Sequence, residues 1–291
     1  MTNSDYQITL QKTAAAIKAA DYIIVGGAAG MSAATGPDWY NPGDPTYLAK
    51  FKAIEAKYHA GSIWRNGYLE QYIGRTWDNQ GDYWGFKLTL IHFVLNEPVY
   101  QPYRDLKAVL KGKDFEIVTT NQDHQFTTAF PEKDVAVIQG DWSYFQCNNR
   151  CHDKVYPNRD LVERLYSQVV DGHLPENLIP RCPKCGAEMN EWVRGLNFLE
   201  GEFYEAQYAK YRAFNKKAEN KKTVYLELGV GMMTPMFIKE PFMNLTYQNP
   251  QATYITVNPK DAIVPKELTD RGIPVKYDLA KVLADLKPML S

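Results

Sequence analysis

Five short apolar runs, each followed by glycine or polar residues, constrain the fold of this chain more than any other feature. They have the length and composition of buried strands, and they lie at 22–25, 115–118, 135–138, 224–228 and 254–257. Segments with a helical pattern precede several of them, as at 103–110 and 202–217, and a capping box that starts at Ser4 predicts a first helix to about Ala20. This alternation predicts an α/β fold in which helices cover both faces of a parallel sheet.

The residues that follow these runs predict one ligand-binding crevice. In parallel sheets, ligands bind beyond the carboxyl ends of the strands. The five strand ends carry Gly26-Gly27-Ala28-Ala29-Gly30, Thr119-Thr120-Asn121-Gln122-Asp123, Gln139-Gly140-Asp141, Gly229-Val230-Gly231 and Asn258-Pro259. Because all five should meet at one edge of the sheet, we expect them to line the same site.

The glycine-rich turn at 26–30 limits the kind of nucleotide chemistry. It does not fit the G-x-G-x-x-G fingerprint of dinucleotide-binding dehydrogenases, and no acidic residue ends an obvious second strand about 20 residues later to hold a ribose. Hydride transfer is therefore disfavoured. The small side chains would let backbone amides approach a pyrophosphate, but a Gly/Ala turn between strand and helix often serves packing only. The turn by itself leaves both interpretations open.

The four cysteines form two close pairs, Cys147-x-x-x-Cys151 and Cys182-x-x-Cys185. Two such pairs can bring four thiolates to one tetrahedral centre, and Gly186 permits the tight turn after the second pair. The spacing predicts a structural zinc ion with no open position for a substrate. Free thiols or two disulfides are the alternatives, although disulfides are disfavoured in a reducing compartment. His152 could replace one ligand, but four cysteines already complete the set.

Charge and composition exclude some classes of partner. With 33 basic and 34 acidic residues, the chain has a net charge of −1, which favours neither nucleic acid nor an anionic membrane surface. No secretory signal is evident at the amino terminus, and no apolar run approaches the roughly 18 residues needed to span a bilayer. We therefore expect a soluble, cytoplasmic protein.

An aromatic-rich stretch from about Trp39 to Trp84 interrupts the α/β pattern. We expect it to form helices, as a lid or cofactor loop beside the sheet. The aromatic residues of such an insertion more often form a small core of their own, so this alternative stays open.

The order of these motifs along the chain resembles that of the sirtuins. The resemblance covers about residues 22–280 and includes the two cysteine pairs together with 28–32, 36–39, 120–123, 137–140, 229–231 and 257–258. It implies an NAD-consuming enzyme with a Rossmann-like NAD-binding domain at 1–139 and 196–291, a helical insertion at about 39–85 and a zinc-ribbon module at 140–195.

The same resemblance assigns residues to the site. Asn121 would orient the ribose and the incoming group, Asp123 would face the nicotinamide carboxamide, and Gln139 would contact the ribose hydroxyls. Ordinary strand-end turns with hydrogen bonds from side chain to backbone are the alternative for Asn121 and Asp123. The candidate NAD-binding residues are Ala28, Ala29, Gly30, Met31, Ser32, Asp38, Tyr40, Thr120, Asn121, Gln122, Asp123, Gln139, Gly229, Val230, Gly231, Asn258 and Asp278.

Three departures from the sirtuin pattern point to one branch of that family. The segment 36–39, followed by Tyr40, replaces Gly-Ile-Pro-Asp-Phe-Arg; the segment 120–123 replaces Gln-Asn-Ile-Asp; and Gln139 stands where deacylating sirtuins have histidine. A carboxamide cannot accept a proton from a ribose hydroxyl as imidazole can, so ordinary deacylation is disfavoured. Together the departures resemble the class M sirtuins, protein ADP-ribosyltransferases encoded beside a macrodomain protein.

The class M resemblance implies mono-ADP-ribosyl transfer from NAD to a lipoylated glycine-cleavage H-like carrier protein. It also implies a macrodomain hydrolase that reverses the modification, in a response linked to lipoyl metabolism and oxidative stress. A carboxylate acceptor is already ionised and needs no base, so the loss of histidine matters less for transfer than for deacylation. NAD hydrolysis or residual deacylation with another base, and a non-catalytic NAD-sensing module, are the alternatives. His124 could supply such a base, although a single unpaired histidine more often has a surface role.

Overall fold

The computed structural model describes residues 3–35 and 77–290, together with positions 45, 49, 52, 53 and 56. The motif at 36–39, the candidate residues Asp38 and Tyr40, and most of the aromatic stretch lie outside the described residues. Within the described part of the chain, no helix is both long enough and apolar enough to cross a membrane.

Nine strands and nine α-helices make up the described fold. The strands are β1 (Tyr22–Gly27), β2 (Asp114–Thr119), β3 (Ala136–Val137), β4 (Gly140–Cys147), β5 (Val155–Pro157), β6 (Met189–Val193), β7 (Thr223–Leu228), β8 (Thr253–Val257) and β9 (Gly272–Val275). The α-helices are α1 (Asn3–Ala19), α2 (Ala29–Ala33), α3 (Gln80–Asn96), α4 (Gln101–Val109), α5 (Gln125–Ala129), α6 (Arg159–Tyr166), α7 (Glu202–Ala218), α8 (Lys239–Gln248) and α9 (Leu279–Leu290).

Six parallel strands form the main sheet in the order β3-β2-β1-β7-β8-β9. The last residue of β1, Gly27, is paired with Thr119 of β2 on one side and with Leu228 of β7 on the other. The chain therefore builds the sheet outward in one direction to β3, and then returns to the centre and builds outward in the other direction. This reversal creates a crevice beyond the carboxyl ends of β1 and β7, where ligands bind in sheets of this kind.

Alternate side chains of the central strands enter two different helical layers, as the two-residue period of a strand requires. Ile23 and Val25 of β1 pack in a core shared with α1, α4 and α9, whereas Ile24 packs with α7 and α8. All three of these side chains are completely buried. Full burial of an aliphatic side chain stabilises the fold by about 1.5–3 kcal/mol, so both helical layers are held firmly to the sheet.

A second, antiparallel sheet has the order β5-β4-β6. It packs against α3 and α6 around a separate core, in which the rings of Trp84 and Phe145 meet edge to face with centroids 5.6 Å apart. The buried Lys87 ammonium of α3 forms an ion pair with Glu191 of β6 and a 2.7 Å hydrogen bond to Asn190. These contacts fix α3 to the second sheet.

The two sheets are joined directly through Ile138 and Gln139, which connect β3 to β4. Gly140 follows with φ +82°, and a Cβ atom there would lie 2.1 Å from the Trp192 carbonyl oxygen. Glycine is therefore needed where the chain turns from one sheet into the other, because both the positive φ and the close approach exclude a side chain. This geometry places Gln139 at the junction of the sheets.

The predicted α/β fold class is confirmed, and each of the five apolar runs contributes a strand to the main sheet. Two details of the prediction were wrong. The first helix already includes Asn3, so Ser4 lies inside the helix and does not cap it. The run at 135–138 forms only a two-residue strand, because the chain leaves the main sheet immediately to begin β4.

Candidate functional site

The backbones of the two central strand ends are in direct contact at the crevice. Gly30, at the start of α2, donates from its N–H to the Gly229 carbonyl oxygen at 2.9 Å. A Cβ atom on Gly30 would lie 2.4 Å from the Gly229 Cα, and Gly229 itself has φ +69°. Side chains are excluded at both positions, so the crevice floor here is bare backbone.

A short hydrogen bond connects the turns that follow β1 and β2. The Ser32 hydroxyl donates to Asp123 Oδ2 at 2.5 Å, and Asp123 Oδ1 accepts the Gln125 N–H at 3.2 Å. Burial raises the pKa of the Asp123 carboxyl; the bonds from Ser32 and Gln125 oppose that rise, and the nearby charge of Asp141 adds to it. The site therefore holds a carboxyl group with a raised pKa at the switch point of the sheet.

Asn121 lies in the same turn and is 9% exposed. Its backbone N–H bonds to Thr119 Oγ1 at 2.9 Å, and its side-chain amide lies 3.4 Å from the hydroxyl of buried Tyr103. The Thr119 hydroxyl in turn donates to the Gly27 carbonyl at 2.9 Å, which ties the turn to the end of β1. The alternative of side-chain bonds to the backbone in a strand-end turn is thus seen for Asp123, which accepts the Gln125 N–H, and not for Asn121 among the described contacts.

Gln139 is connected to this turn through main-chain atoms. Its carbonyl oxygen accepts from Gln122 Nε2 at 3.2 Å and from the Arg194 N–H at 2.9 Å. A further bond from the Trp142 N–H to the Gln122 carbonyl at 3.1 Å holds the two turns together. The backbone of Gln139 is thus fixed, and the residue as a whole is partly exposed.

His124 and Asp141 form a pair between the same two turns. His124 Nδ1 lies 2.8 Å from Asp141 Oδ2, and Asp141 Oδ1 accepts the Ser143 N–H at 2.7 Å. The side chain of Asp141 is 2% exposed and that of His124 is 19% exposed. Burial would lower the pKa of the His124 imidazole, but the hydrogen bond and charge of Asp141 outweigh this effect and raise it.

The remaining candidate residues at the strand ends differ in how far they are buried and in what they contact. Thr120, Met31 and Val230 are buried at the strand ends near the turns described above, whereas Ala29 is exposed. Asn258 is buried, and its side chain bonds to local backbone: it donates to the Val230 carbonyl at 3.1 Å and accepts the N–H groups of Lys260 and Asp261. Its amide therefore holds together the turns after β7 and β8.

Asp278 is not brought into contact with the other candidate residues. Its carboxylate accepts the Lys281 N–H at 2.8 Å at the start of α9, and the residue is exposed. This is the geometry of a helix N-cap. The structure thus gives Asp278 a local structural contact beyond the edge strand β9.

A buried ion pair lies beneath the turn after β7. Lys239 Nζ bonds to Glu227 Oε1 at 2.7 Å and to the Asp261 carbonyl at 2.9 Å, and the two side chains are 2% and 0% exposed. Tyr254 and Thr256 also donate to the Glu227 carboxylate. Burial raises the pKa of Glu227, and the charge of Lys239 together with the hydrogen bonds from Lys239, Tyr254 and Thr256 opposes the rise. The network joins β7, β8 and α8.

The four cysteine sulfurs lie within 4.8 Å of one another. The pairs Cys147–Cys185 and Cys151–Cys182 are each separated by 3.6 Å between sulfurs, and none of the four is in a disulfide. A tetrahedral ion with Zn–S bonds of about 2.3 Å requires sulfurs about 3.8 Å apart, so the donor set fits zinc in both chemistry and spacing. Gly186 has φ +73°, as expected for the turn that follows the second pair.

The surroundings of the cluster act in opposite directions on two of its thiols, and burial together with the other three thiols raises the pKa of Cys151 to about 12. Burial would raise the pKa of the Cys182 thiol, but the N–H groups of Cys185 and Lys184 and the neighbouring thiols lower it to about 6. His152 Nδ1 lies 3.0 Å from Cys151 Sγ, and its Nε2 lies 2.6 Å from the Tyr156 hydroxyl. The histidine therefore lies beside the four sulfurs as a hydrogen-bonding neighbour.

Comparison with known proteins identifies the family. No family model matches the chain. Over 279 residues it is 32% identical to the protein ADP-ribosyltransferase of Staphylococcus aureus strain Mu50, an alignment that covers 92% of this chain and 84% of that protein. The chain belongs to the sirtuin-type protein ADP-ribosyltransferases.

A second relative and several solved structures are also similar to this chain. A probable bifunctional ADP-ribose hydrolase/ADP-ribosyltransferase of Fusarium oxysporum f. sp. cubense is 27% identical over 269 residues, which cover 88% of this chain and 44% of that protein. Among solved structures, a Sir2 enzyme studied for mechanism and regulation has a TM-score of 0.58 at 17% identity, with 98% of both chains covered. A Sir2 homologue in complex with NAD has a TM-score of 0.52 at 14% identity, over 97% of this chain and 95% of that one. These structures share the sirtuin fold.

Two pairs of residues in this transferase were not predicted from the sequence. Asp141 was noted only as part of a strand-end motif, and its pairing with His124 was not foreseen; an acidic residue directly after a strand-end glycine was the available signal. The Glu227–Lys239 pair carried no local signal, because a glutamate inside an apolar strand has a partner only when the fold brings one to it.

Proposed function

We propose that this chain transfers a single ADP-ribose unit from NAD to a protein and releases nicotinamide, and that its acceptor is a lipoylated glycine-cleavage H-like carrier protein. The names of the Staphylococcus and Fusarium relatives support the transferase activity. The class M pattern, above all glutamine at position 139, supports the carrier as acceptor.

One observation carries the proposal: the turns after β1, β2 and β3 meet at the switch point of the sheet. The bond from Ser32 to Asp123 and the bond from Gln122 to the Gln139 carbonyl hold these turns together. Asn121, Asp123 and Gln139 are thereby gathered at the edge of the sheet where a ligand is expected. Their amide and carboxyl groups can contact both a ribose and a carboxamide.

The residues present fit NAD. The bare backbone at Gly30 and Gly229 would admit the phosphates, with Ala28, Ala29 and Ser32 on one side and Gly231 on the other. We assign the nicotinamide carboxamide to Asp123, whose carboxyl can accept its N–H group. Asn258 would contact the adenine ribose through its edge, although most of its amide is used to hold the backbone.

NAD supplies a ribosyl group whose bond to nicotinamide breaks with development of positive charge on the ribose. Asn121 orients the ribose and the incoming group, and Gln139 contacts the ribose hydroxyls without taking their protons. The Asp123 carboxyl, held by Ser32, fixes the leaving group. This set of residues positions the reacting groups and stabilises charge, which suits transfer better than histidine-dependent deacylation.

We assign a structural role to the cysteine cluster. Cys147, Cys151, Cys182 and Cys185 would hold one zinc ion in a module at 140–195, and the NAD-binding domain would comprise 1–139 and 196–291. Four sulfur ligands leave no coordination position for a substrate, so the ion would stabilise the module and take no part in transfer.

A labelled-NAD assay with purified carrier protein tests the proposal. The wild-type chain should label the lipoylated carrier and release nicotinamide in equal amounts, whereas Asn121→Ala should abolish labelling. Asn215→Ala is the matched control, because Asn215 on α7 is also 9% exposed but lies away from the strand ends. Loss of labelling in both variants would mean that Asn121 acts through stability alone.

The same assay separates the alternatives. Free ADP-ribose or acetyl-ADP-ribose without a labelled protein would indicate hydrolysis or deacylation, and NAD binding without nicotinamide release would indicate a sensing module. If active enzyme leaves the carrier unlabelled, the proposal that the carrier is the acceptor is wrong.

We further propose that an ADP-ribosyl hydrolase of macrodomain type reverses the modification. The name of the Fusarium relative, which joins a hydrolase to a transferase, supports this proposal.

A further inference from the structure

Tyr103 lies behind the candidate site, and its hydroxyl contacts two of the residues assigned to NAD. The residue is 0% exposed and belongs to α4, the helix that precedes β2. Asn121 Nδ2 donates to the Tyr103 hydroxyl at 3.4 Å, and the Ser32 side chain is the other hydrogen-bonding neighbour of this hydroxyl. Tyr103 is not among the residues predicted from the sequence to bind NAD.

The ring of Tyr103 is fixed by the residues around it. It meets the ring of Phe126 edge to face, with centroids 4.9 Å apart. Phe126 in turn packs on Gly27 at the end of β1, where a Cβ atom would lie 2.1 Å from the Phe126 Cζ. Aromatic pairs favour such edge-to-face arrangements, which restrict the orientation of each ring. The Tyr103 hydroxyl therefore has a defined position relative to the end of β1.

The start of α4 is also tied to the turn after β2. Gln125 Oε1 accepts the Tyr100 N–H at 3.1 Å, and Gln125 Nε2 donates to the Pro98 carbonyl at 3.2 Å. The N–H of the same glutamine bonds to Asp123 Oδ1 at 3.2 Å. Gln125 is only 4% exposed, so these bonds are shielded from water. Tyr103 and the turn are therefore held as one unit.

The chemistry of each side chain assigns the protons in this group. The Ser32 hydroxyl has one proton, which it donates to Asp123 Oδ2 at 2.5 Å, so towards Tyr103 it can only accept. Burial raises the pKa of the Tyr103 hydroxyl and the charge of Asp123 adds to the rise, while Asn121 and Ser32 oppose it, so the hydroxyl keeps its proton. The hydrogen bonds then form a chain from Asn121 through Tyr103 and Ser32 to Asp123.

We propose that Tyr103 is a positioning residue whose hydroxyl fixes Asn121 relative to Asp123. This inference rests on the proposed function, in which Asn121 orients the ribose and Asp123 holds the nicotinamide carboxamide. Those two contacts lie on either side of the bond that breaks in NAD. Because Tyr103 is fully buried, it acts through these side chains and not by contact with NAD.

The proposal predicts a loss of rate with little loss of NAD affinity. The proposed phosphate contacts at Gly30 and Gly229 are independent of the Tyr103 hydroxyl, so binding should persist without it. The relative position of Asn121 and Asp123 matters when the bond between ribose and nicotinamide breaks. An interaction that is important mainly at that stage lowers turnover more than binding.

Tyr103→Phe tests the proposal, because it removes only the hydroxyl and keeps the ring that packs on Phe126. With saturating NAD and the purified lipoylated carrier, nicotinamide release should slow by about tenfold, since small misplacements of reacting groups have effects of this size. The dissociation constant for NAD, measured by calorimetry, should stay within about twofold of the wild-type value at unchanged stoichiometry.

Tyr6→Phe is the matched control. Tyr6 is also 0% exposed and packs in the same core as Tyr103, but its hydroxyl donates to Asp285 Oδ2 of α9 at 2.7 Å. The control loses the same atom and a buried hydrogen bond, so it should lose stability and keep the wild-type rate. An equal slowing of both variants would mean that the Tyr103 hydroxyl acts through stability alone.

A double-mutant cycle tests the chain of hydrogen bonds. Ser32→Ala cuts the connection between Tyr103 and Asp123, so adding Tyr103→Phe to it should slow nicotinamide release by less than about twofold further. If the two rate losses multiply instead, Tyr103 and Ser32 act separately and the proposal is wrong.

The same measurements separate this inference from the proposed function. A Tyr103→Phe chain that is as fast as wild type, or that loses rate and NAD affinity equally, would overturn the inference and leave the transferase function in place. If the wild-type chain binds NAD but releases no nicotinamide, the proposed function fails and the inference fails with it.

Discussion

Gly30 and Gly229 touch backbone to backbone, with the Gly30 N–H donating to the Gly229 carbonyl oxygen at 2.9 Å. The contact joins the turn after β1 to the turn after β7 at the point where the sheet reverses direction. Any side chain at either position would separate the two strand ends and fill the floor of the crevice. The proposed NAD site depends on this close approach.

Gly229→Ala should destabilise the fold and abolish NAD binding, because its Cβ would lie 2.5 Å from the Gly30 Cα. Gly112→Ala is a suitable control: Gly112 has a similar φ of +76°, but a Cβ there meets nothing within 4 Å. The control should lose about 1–2 kcal/mol of unfolding free energy from the left-handed conformation alone. Urea unfolding and NAD calorimetry of both variants measure the difference, and equal losses would show that the close approach is unimportant.

Lys239→Met should destabilise the chain by about 3–5 kcal/mol, because it leaves the Glu227 carboxylate buried without its cation. Lys210→Met should change stability by less than about 1 kcal/mol, since Lys210 forms an exposed pair with Asp134 at 2.5 Å. Urea unfolding at neutral pH makes the comparison. Similar small losses in both variants would contradict a structural role for the buried pair.

The penalty of Lys239→Met should also shrink as the solution is acidified. Burial raises the pKa of Glu227 in the folded chain, so on acidification the carboxyl takes up a proton in the folded state before it does so in the unfolded state. The cost of the buried charge is therefore present at neutral pH and is lost as pH falls through the folded pKa. A penalty that stays constant down to about pH 4.3, the ordinary glutamate value, would argue against this explanation.

The cysteine cluster should bind one zinc ion per chain. Cys185→Ser should reduce the zinc content of the purified protein and lower its thermal stability, because a hydroxyl is a poor replacement for a thiolate ligand. His152→Gln should retain the metal, since four sulfurs already complete the set and the imidazole contacts Cys151 Sγ only as a neighbour at 3.0 Å. Elemental analysis of both variants decides the matter, and loss of zinc from His152→Gln would place the histidine among the ligands.

Gln139 should be more important for transfer than for NAD binding. Gln139→His should leave the NAD affinity intact, because the backbone of this residue is fixed by Gln122 and Arg194 whatever its side chain. Gln139→Ala should weaken transfer if the carboxamide positions the ribose hydroxyls. Calorimetry and single-turnover transfer separate the two effects, and unchanged transfer in Gln139→Ala would remove this residue from the proposed site.

The strands of the main sheet could be predicted because their signal is local. A buried parallel strand needs a short apolar run, and a strand end at a ligand crevice needs glycine or small polar residues, so both are readable in a window of a few residues. The errors concern the ends of two elements. Ser4 lies inside α1, and β3 is cut to Ala136–Val137 because Gly140 must begin the second sheet.

The cysteine pairs are an intermediate case. Their spacing predicts one tetrahedral cluster, and the four sulfurs do lie within 4.8 Å of one another. Because a tetrahedral metal site allows few spacings between its ligands along the chain, the sequence alone predicts most of this site. Asn258 is a different case: the sirtuin resemblance predicts a contact with the adenine ribose, and only the structure shows that its amide also holds the turns at Val230 and Lys260.

By itself, the sequence determined the fold class, the positions of the strand ends and the presence of glutamine at position 139. These follow from residue type and short-range pattern. Only the tertiary structure decided that His124 meets Asp141 and that Lys239 meets Glu227. Such pairs depend on which strands are neighbours and on how far each strand extends. Neither the period of the apolar residues nor their spacing along the chain specifies how close two distant side chains come in the fold.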